Sequence, residues 1–168
     1  FIGSERVMKQ DIEQAKALLK EAGYNGEKVV LMHPTDIQTL SAASQVTASL
    51  LRKLGINLEV QAMDWSTLTS RRAEKKSIED GGWNIFHTSW IAPDLLNPVA
   101  NIGVSGGGVE KAWFGWPTDA EVEALRQDFA RETDSAKQKA LADKVQARAM
   151  DVVTYVPIGQ YLGKYAYR

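Results

Sequence analysis

Helix-like and strand-like hydrophobic patterns alternate over residues 11–90, and this alternation limits the possible folds more than any other feature of the sequence. Apolar residues recur at helical spacing in three segments, and short apolar or alternating runs separate these segments. The predicted helices cover residues 11–22, 40–54 and 66–79, and the predicted strands cover residues 28–33, 56–62 and 83–90. Because strands joined by helices of this length pair in parallel through right-handed crossovers, we predict an α/β fold with an open, mainly parallel sheet flanked by helices.

The first two helices carry local signals for their ends and for their buried faces. Asp11 and Gln14 form a capping-box pattern, and Gly23 supplies a stop. An apolar stripe on the second helix is predicted to face the core; it consists of Leu40, Ala43, Val46, Leu50, Leu51 and Leu54.

Residues 91–117 break this rhythm, because they contain prolines, glycines and asparagines in a stretch without periodic apolar residues. Loops of this length inside a compact domain are usually functional. Regular patterns then return, with helices predicted to begin at a capping box over residues 118–121 and at Asp134, and a closing edge strand predicted at 153–161. We therefore predict one α/β domain that spans residues 1–168.

Composition removes several classes of function. A net charge of -1 gives no field that would attract nucleic acid, so no nucleic-acid partner is predicted. The absence of cysteine excludes disulfides, thiolate nucleophiles and thiolate metal sites. The two histidines, His33 and His87, have no nearby cluster of acidic residues, so neither a metal site nor a cofactor is predicted.

Large aromatic side chains concentrate around the long loop. Trp90, Trp113, Phe114 and Trp116 do not follow a helical or strand period that would place them in a core. Aromatic rings offer a wide apolar surface with few rotatable bonds, which suits contact with a small ligand. We predict that these rings line a ligand site and that Asp94 receives a cation or an amine, although core packing, contact between domains and simple solvation are the structural alternatives.

A second candidate for the site is the edge of the sheet where the parallel strands end, since open α/β sheets bind ligands there. His33 ends the first strand, and Asp64 and Trp65 follow the second. We predict that these three residues face the ligand together with Trp90.

Two other classes of function compete with ligand capture. Residues 103–107 match the G-x-S-x-G pattern of a hydrolase, so Ser105 could act as a nucleophile with His87 or His33. However, the pattern lies in a glycine-rich stretch where no helix is predicted, which favours a flexible loop. The third class is a protein-interaction domain that uses exposed tryptophans.

Motifs in a fixed order cover nearly the whole chain. They are D-x-x-x-A-K-A-L-L-x-E-A-G-Y at residues 11–24, L-R-K-L-G-I at 51–56, Asp64, W-N-I at 83–85, Trp90, D-x-E-V at 119–122, Thr133-Asp134 and V-T-Y-V-P at 153–157. Together they resemble the oligopeptide-, dipeptide- and nickel-binding type of extracytoplasmic solute-binding proteins, family 5, which serve ABC importers.

This resemblance implies a two-lobe, periplasmic-binding-protein-like fold, of which the chain would form most of the second lobe. It also implies a missing N-terminal lobe, a peptide-like solute, permease subunits as partners, and no catalysis. The location would be periplasmic, or extracellular with a lipid anchor, and the export signal would lie outside this sequence. In peptide-binding members an aspartate follows the tryptophan matching Trp90 by three residues, but this chain has Pro93 there and Asp94 one place later.

Overall fold

A computed structural model describes residues 9–163, and the chain divides into two compact units. Described residues up to Pro93 belong to the first unit, and those from Asp94 onward belong to the second. That both units form part of a single lobe in a longer protein stays a prediction.

The first unit contains a three-stranded parallel sheet flanked by helices, which confirms the predicted fold class. The strands β1 (Val29–Pro34), β2 (Leu58–Met63) and β3 (Ile85–Phe86) lie in the order β2-β1-β3, and they alternate with helices α1 (Ile12–Glu21), α2 (Gln38–Lys53) and α3 (Trp65–Arg71). The core centres on β1, because α2 and α3 both pack against this strand. Its residues Val30, Leu31 and Met32 are fully buried.

Local interactions explain why α1 forms close to its predicted position. The Asp11 side chain accepts a hydrogen bond from the Gln14 backbone N–H at 2.9 Å, which satisfies one of the free donors at the start of the helix. Gly23 follows the helix with a φ of 78°, a left-handed conformation that glycine adopts without steric cost.

The buried face of α2 differs from the predicted stripe. Ser44 is buried together with Leu40 and Ala48, whereas Val46 is 70% exposed. Residues 44 and 46 point in nearly opposite directions on a helix, so the two side chains cannot both face the sheet. The Ser44 hydroxyl donates to the Leu40 carbonyl at 2.9 Å and contacts the His87 ring at 3.1 Å, so its burial leaves no unsatisfied polar group.

Two predicted elements of the first unit are too long. Helix α3 ends at Arg71 instead of residue 79, because the following residues are mostly charged and offer little apolar surface to pack. Strand β3 covers only Ile85–Phe86. Next to it, the Asn84 side-chain oxygen accepts a hydrogen bond from the Val30 N–H at 2.7 Å, and the Asn84 N–H donates to the Val30 carbonyl at 3.0 Å. A side-chain oxygen therefore takes the place of a backbone acceptor at this end of the strand.

The second unit is helical. It contains the one-turn helix α4 (Gly108–Lys111), the longer helices α5 (Ala120–Arg131) and α6 (Ser135–Val152), and a short 3-10 turn at Ile102–Val104. A second 3-10 turn, Ala92–Leu95, spans the boundary between the two units along the chain. The side chains of Asp119 and Asp134 cap α5 and α6, which places the first cap one residue later than the Thr118 expected from the capping box. Val104, Val145 and Ala149 form the buried core of this unit.

The closing strand predicted at residues 153–161 is wrong for the described part of this segment. Val153 ends α6 with a φ of 54°, and no strand follows among the described residues. A strand requires a neighbouring strand for its hydrogen bonds, and the described residues place none beside this segment. Its apolar side chains Val156, Ile158 and Tyr161 are exposed as a result.

Candidate functional site

Three of the predicted aromatic residues come together in one turn of the second unit. Residues 113–116, which we call the aromatic turn, close with a hydrogen bond from the Trp116 N–H to the Trp113 carbonyl at 2.8 Å. The Trp113 and Phe114 rings pack against each other with centroids 5.2 Å apart, and all three rings are only partly buried.

Trp116 adopts a backbone conformation that a bulky residue normally avoids. Its φ is 48°, directly after Gly115 with a φ of 99°. A left-handed conformation costs an L-residue with a side chain roughly 1–2 kcal/mol. Backbone strain of this kind concentrates at ligand-binding and catalytic sites. The aromatic turn is therefore the strongest candidate for a functional surface in the second unit.

The glycine run before the turn is tightly packed, which corrects the expectation of a flexible loop. Gly106–Gly108 pair with Pro117–Asp119: the Gly108 N–H donates to Pro117 at 2.9 Å, and the Asp119 N–H donates to Gly106 at 2.9 Å. A Cβ at Gly106 would lie 2.6 Å from the Asp119 carbonyl oxygen, so only glycine fits. The expectation that no helix follows the run is also wrong, because α4 begins at Gly108. We call residues 106–119 the aromatic hairpin.

Ion pairs from α5 and α6 support both sides of this hairpin. Glu123 accepts hydrogen bonds from the Gly106 N–H at 2.8 Å and from Arg126 at 2.6 Å. Arg148 contacts the Asp119 carboxylate at 2.6 Å, and this interaction lowers the pKa of Asp119. The sequence patterns did not single out Glu123, Arg126 or Arg148; the i, i+3 spacing of Glu123 and Arg126 on a predicted helix was the available signal.

The residues predicted at the carboxyl edge of the sheet do lie there, but each has a structural partner. Asp64 caps α3 by accepting from the Thr67 hydroxyl at 2.6 Å and from the Thr67 N–H at 2.9 Å, and these bonds lower the pKa of Asp64. The Trp65 N–H donates to Asp36 at 2.8 Å, and the His33 ring contacts Ser41 at 2.8 Å. These contacts give each of the three residues a structural role at this edge. Their role in ligand binding stays a prediction.

Trp90 and Asp94 flank the point where the two units meet along the chain. Trp90 belongs to the first unit and is partly buried, whereas Asp94 is the first described residue of the second unit and is exposed within the short turn Ala92–Leu95. The Asp94 side chain forms neither a hydrogen bond nor an ion pair with another described residue, and its role in ligand binding stays a prediction.

Hydrogen bonds between His87 and two hydroxyls of α2 join this helix to the end of β3. Ser44 donates its only proton to Leu40, so its oxygen accepts from His87 Nδ1, and His87 Nε2 lies 2.9 Å from the Thr47 hydroxyl, which can donate to a neutral ring. Burial, with a smaller contribution from the charge of His33, favours the neutral ring and lowers the pKa of His87 below the ordinary 6.5. The Ser105 hydroxyl donates to Glu123 at 3.2 Å, and its described hydrogen bonds do not include an imidazole.

Acid should destabilise the protein through His87. The folded state favours neutral His87, so its contribution to stability is complete above pH 6.5 and is lost as the pH falls toward the lowered folded pKa. We expect the midpoint of thermal unfolding to decrease between about pH 7 and about pH 5, before most carboxylates titrate. The decrease in the unfolding midpoint should be smaller in His87→Gln than in the His33→Gln control. If the midpoint fell equally steeply with pH in wild type and in His87→Gln, this assignment would be wrong.

A surface depression beside α3 does not indicate a specific chemistry. A depression of about 630 Å³ beside α3 is lined by Ser66, Thr67, Ser70, Arg71, Glu74, Lys76, Asp80 and Gly81. Its charged groups are engaged locally: Lys76 pairs with Glu74, and Arg71 donates to the Gly81 carbonyl. Across residues 9–163 there is neither a cluster of residues that could hold a metal ion nor a helix long and apolar enough to span a membrane.

Comparison with known proteins identifies the family. Residues 2–110 match the model of the middle part of the bacterial extracellular solute-binding proteins, family 5. The chain belongs to this family. Over 157 residues it is 43% identical to the "Probable peptide ABC transporter periplasmic-binding protein y4tO" of Sinorhizobium fredii, covering 94% of this chain and 29% of that protein. It is 27% identical to "Di/tripeptide-binding protein 4" of Pseudomonas aeruginosa, covering 88% of this chain and 28% of the relative.

Solved structures of two-lobe periplasmic binding proteins share the fold of this family 5 chain. Burkholderia pseudomallei OppA superposes with a TM-score of 0.71 at 22% identity, covering 89% of this chain and 29% of that structure. The chain thus spans less than a third of the length of these relatives. The resemblance inferred from the sequence motifs is confirmed at the level of the family.

Proposed function

We propose that this protein is the substrate-binding component of an ABC importer and captures a peptide or peptide-like solute outside the cytoplasm. The observation that carries this proposal is the 43% identity, over 94% of the chain, to a family 5 protein whose printed description is a probable peptide ABC transporter periplasmic-binding protein. The proposed location is the periplasm, or the cell exterior with a lipid anchor, and the permease subunits are the proposed partners.

In this proposal the chain supplies one side of a cleft, and a lobe formed by the remaining length of the protein supplies the other. The aromatic turn offers apolar area on a backbone that its hairpin already holds in place, so little entropy is lost when a ligand packs there. Closure of the two lobes then buries the ligand and excludes water. Binding and release suffice for delivery to a permease, so no catalytic step and no cofactor is proposed.

Asp94 is the proposed partner of the ligand's amino terminus. Its carboxylate is exposed and makes no ion pair with another described residue. A shift of one position from the aspartate of peptide-binding relatives keeps this acid in the same short turn as Pro93. Within the first unit, His33, Asp64, Trp65 and Trp90 are proposed as further ligand contacts, with Trp90 the most suitable of them for apolar contact.

The amine contact is testable with a double-mutant cycle on the intact protein, with trialanine and N-acetyl-trialanine as probes. An ionic hydrogen bond contributes about 1.5–3 kcal/mol, so either Asp94→Asn or acetylation should weaken binding about tenfold or more in isothermal titration calorimetry. The two changes together should cost little more than one of them, because both remove the same contact. Fully additive losses would contradict the pairing of Asp94 with the amine, and Asp128→Asn, which changes an exposed carboxylate of the same unit outside the aromatic hairpin, is the matched control.

A further inference from the structure

One side chain on α5 contacts the loop before the aromatic hairpin at several points. A single carboxylate oxygen of Glu123 accepts from the Gly106 N–H at 2.8 Å, from the Ser105 hydroxyl at 3.2 Å and from Arg126 at 2.6 Å. Gly106 is the first residue of the hairpin and pairs directly with Asp119 on the opposite side. Glu123 thereby fixes where the first side of the hairpin begins.

Arg126 extends this attachment to a separate part of the loop. Its Nε donates to the Pro98 carbonyl at 2.8 Å and its Nη2 donates to the Val99 carbonyl at 3.3 Å, while Nη1 contacts Glu123. The planar guanidinium presents these donors in a fixed fork, so one side chain sets the distance between residues 98–99 and residues 105–106. Both members of the pair are shielded, with side chains 14% exposed for Arg126 and 27% exposed for Glu123.

The ionic character of the pair is maintained at neutral pH. Burial alone would raise the pKa of Glu123, but the Gly106 N–H, the Arg126 guanidinium and the Ser105 hydroxyl outweigh it and lower the pKa. The carboxylate therefore stays charged, and its hydrogen bonds are of the strong, charge-assisted kind.

We propose that Glu123 and Arg126 are positioning residues for the aromatic turn: they fix Gly106, and through the paired sides of the hairpin they hold Trp113 and the strained Trp116 in place. The consequence for ligand affinity rests on the proposed function, whereas the effect on the turn does not. Ser105, Pro98 and Val99 are the loop contacts through which the pair acts.

The experiment is ¹⁹F NMR of the intact protein labelled with 5-fluorotryptophan, with resonances assigned through single Trp→Phe substitutions. In Glu123→Ala, the Trp113 and Trp116 resonances should shift or broaden by more than a linewidth, while those of Trp65 and Trp83 in the first unit stay in place. Glu123→Gln retains an acceptor for the Gly106 N–H and should restore the resonances in part, which a general loss of stability would not produce.

Two further variants keep the result interpretable. Asp128→Ala lies on the same helix and removes an exposed ion pair with Arg131, so it should leave all five tryptophan resonances unchanged. Arg126→Lys keeps the charge but loses the fork to Pro98 and Val99, so it should move the same two resonances. It serves as the test variant if Glu123→Ala does not fold. Unchanged Trp113 and Trp116 resonances in folded variants of the pair would overturn the proposal.

Trialanine titration of the same samples separates this proposal from the proposed function. If the two resonances move and affinity falls, both proposals are supported. If the resonances move and affinity is unchanged, the positioning role is supported, and the placement of the ligand on the aromatic turn is wrong.

Discussion

Trp116→Ala should weaken trialanine binding to the intact protein by about thirtyfold, because truncating an aromatic residue at the centre of a binding surface typically costs about 2 kcal/mol or more. The ring supplies apolar area, and the strained backbone at this residue, with its φ of 48°, indicates that the conformation is kept for something other than stability. Isothermal titration calorimetry of wild type and variant measures the difference directly.

Trp116→Gly is the matched control for the backbone. Glycine adopts the left-handed conformation without steric cost, so this variant removes the ring and relieves the strain together. We expect it to be at least as stable as Trp116→Ala and to bind equally weakly. Recovery of affinity in Trp116→Gly would show that the backbone, and not the ring, determines binding.

Leu31→Ala should produce the largest loss of stability, about 2–5 kcal/mol, because it removes a fully buried side chain from the middle strand and leaves a cavity behind. The core of the first unit depends on β1, which pairs with β2 on one side and β3 on the other. The effect should appear as faster amide hydrogen exchange in all three strands, since local opening free energies report the stability of a cooperative unit.

Val46→Ala provides the comparison in the same unit. Val46 is also a branched apolar residue and was predicted to face the core, but it is 70% exposed. Its truncation should change the opening free energy by less than about 0.5 kcal/mol, as is usual for surface positions. A similar effect of Val46→Ala and Leu31→Ala would contradict the orientation of α2 described above.

The elements that the sequence predicted well are those whose ends depend on local interactions. The Asp11 and Asp134 caps act within three residues, so α1 and α6 begin where their side chains satisfy nearby backbone donors. The buried strand β1 also followed from its own residues, since a short apolar run between turn signals is typical of a central parallel strand.

The errors arise where distant residues decide the structure. Ser44 is buried because His87, 43 residues away, offers it a hydrogen bond, and no property of α2 alone reveals this. Strand β3 is short because the Asn84 side chain takes the Val30 N–H, and the segment after α6 forms no strand in the described residues because it lacks a neighbour. Strand length is set by pairing, which a single-sequence pattern does not contain.

In the candidate site, too, local features were predictable and contacts between distant residues were not. The unusual grouping of Trp113, Phe114 and Trp116 was visible in the sequence because it fits no secondary-structure period. The packing of Gly106 against Asp119, the left-handed Trp116 and the contacts of Glu123 depend on residues brought together by the fold, so the loop was expected to be flexible. The glycine run Gly106–Gly108, which was expected to be flexible, is instead a tightly packed side of the aromatic hairpin.

The central claim, that this protein captures a peptide with the aromatic turn in contact with the ligand, is tested most directly by mass spectrometry of what co-purifies with the intact protein. Protein purified without added ligand and then denatured should release short peptides, and Trp116→Ala purified in parallel should release much less. Release of a non-peptide solute, or equal amounts of peptide from wild type and Trp116→Ala, would contradict the account.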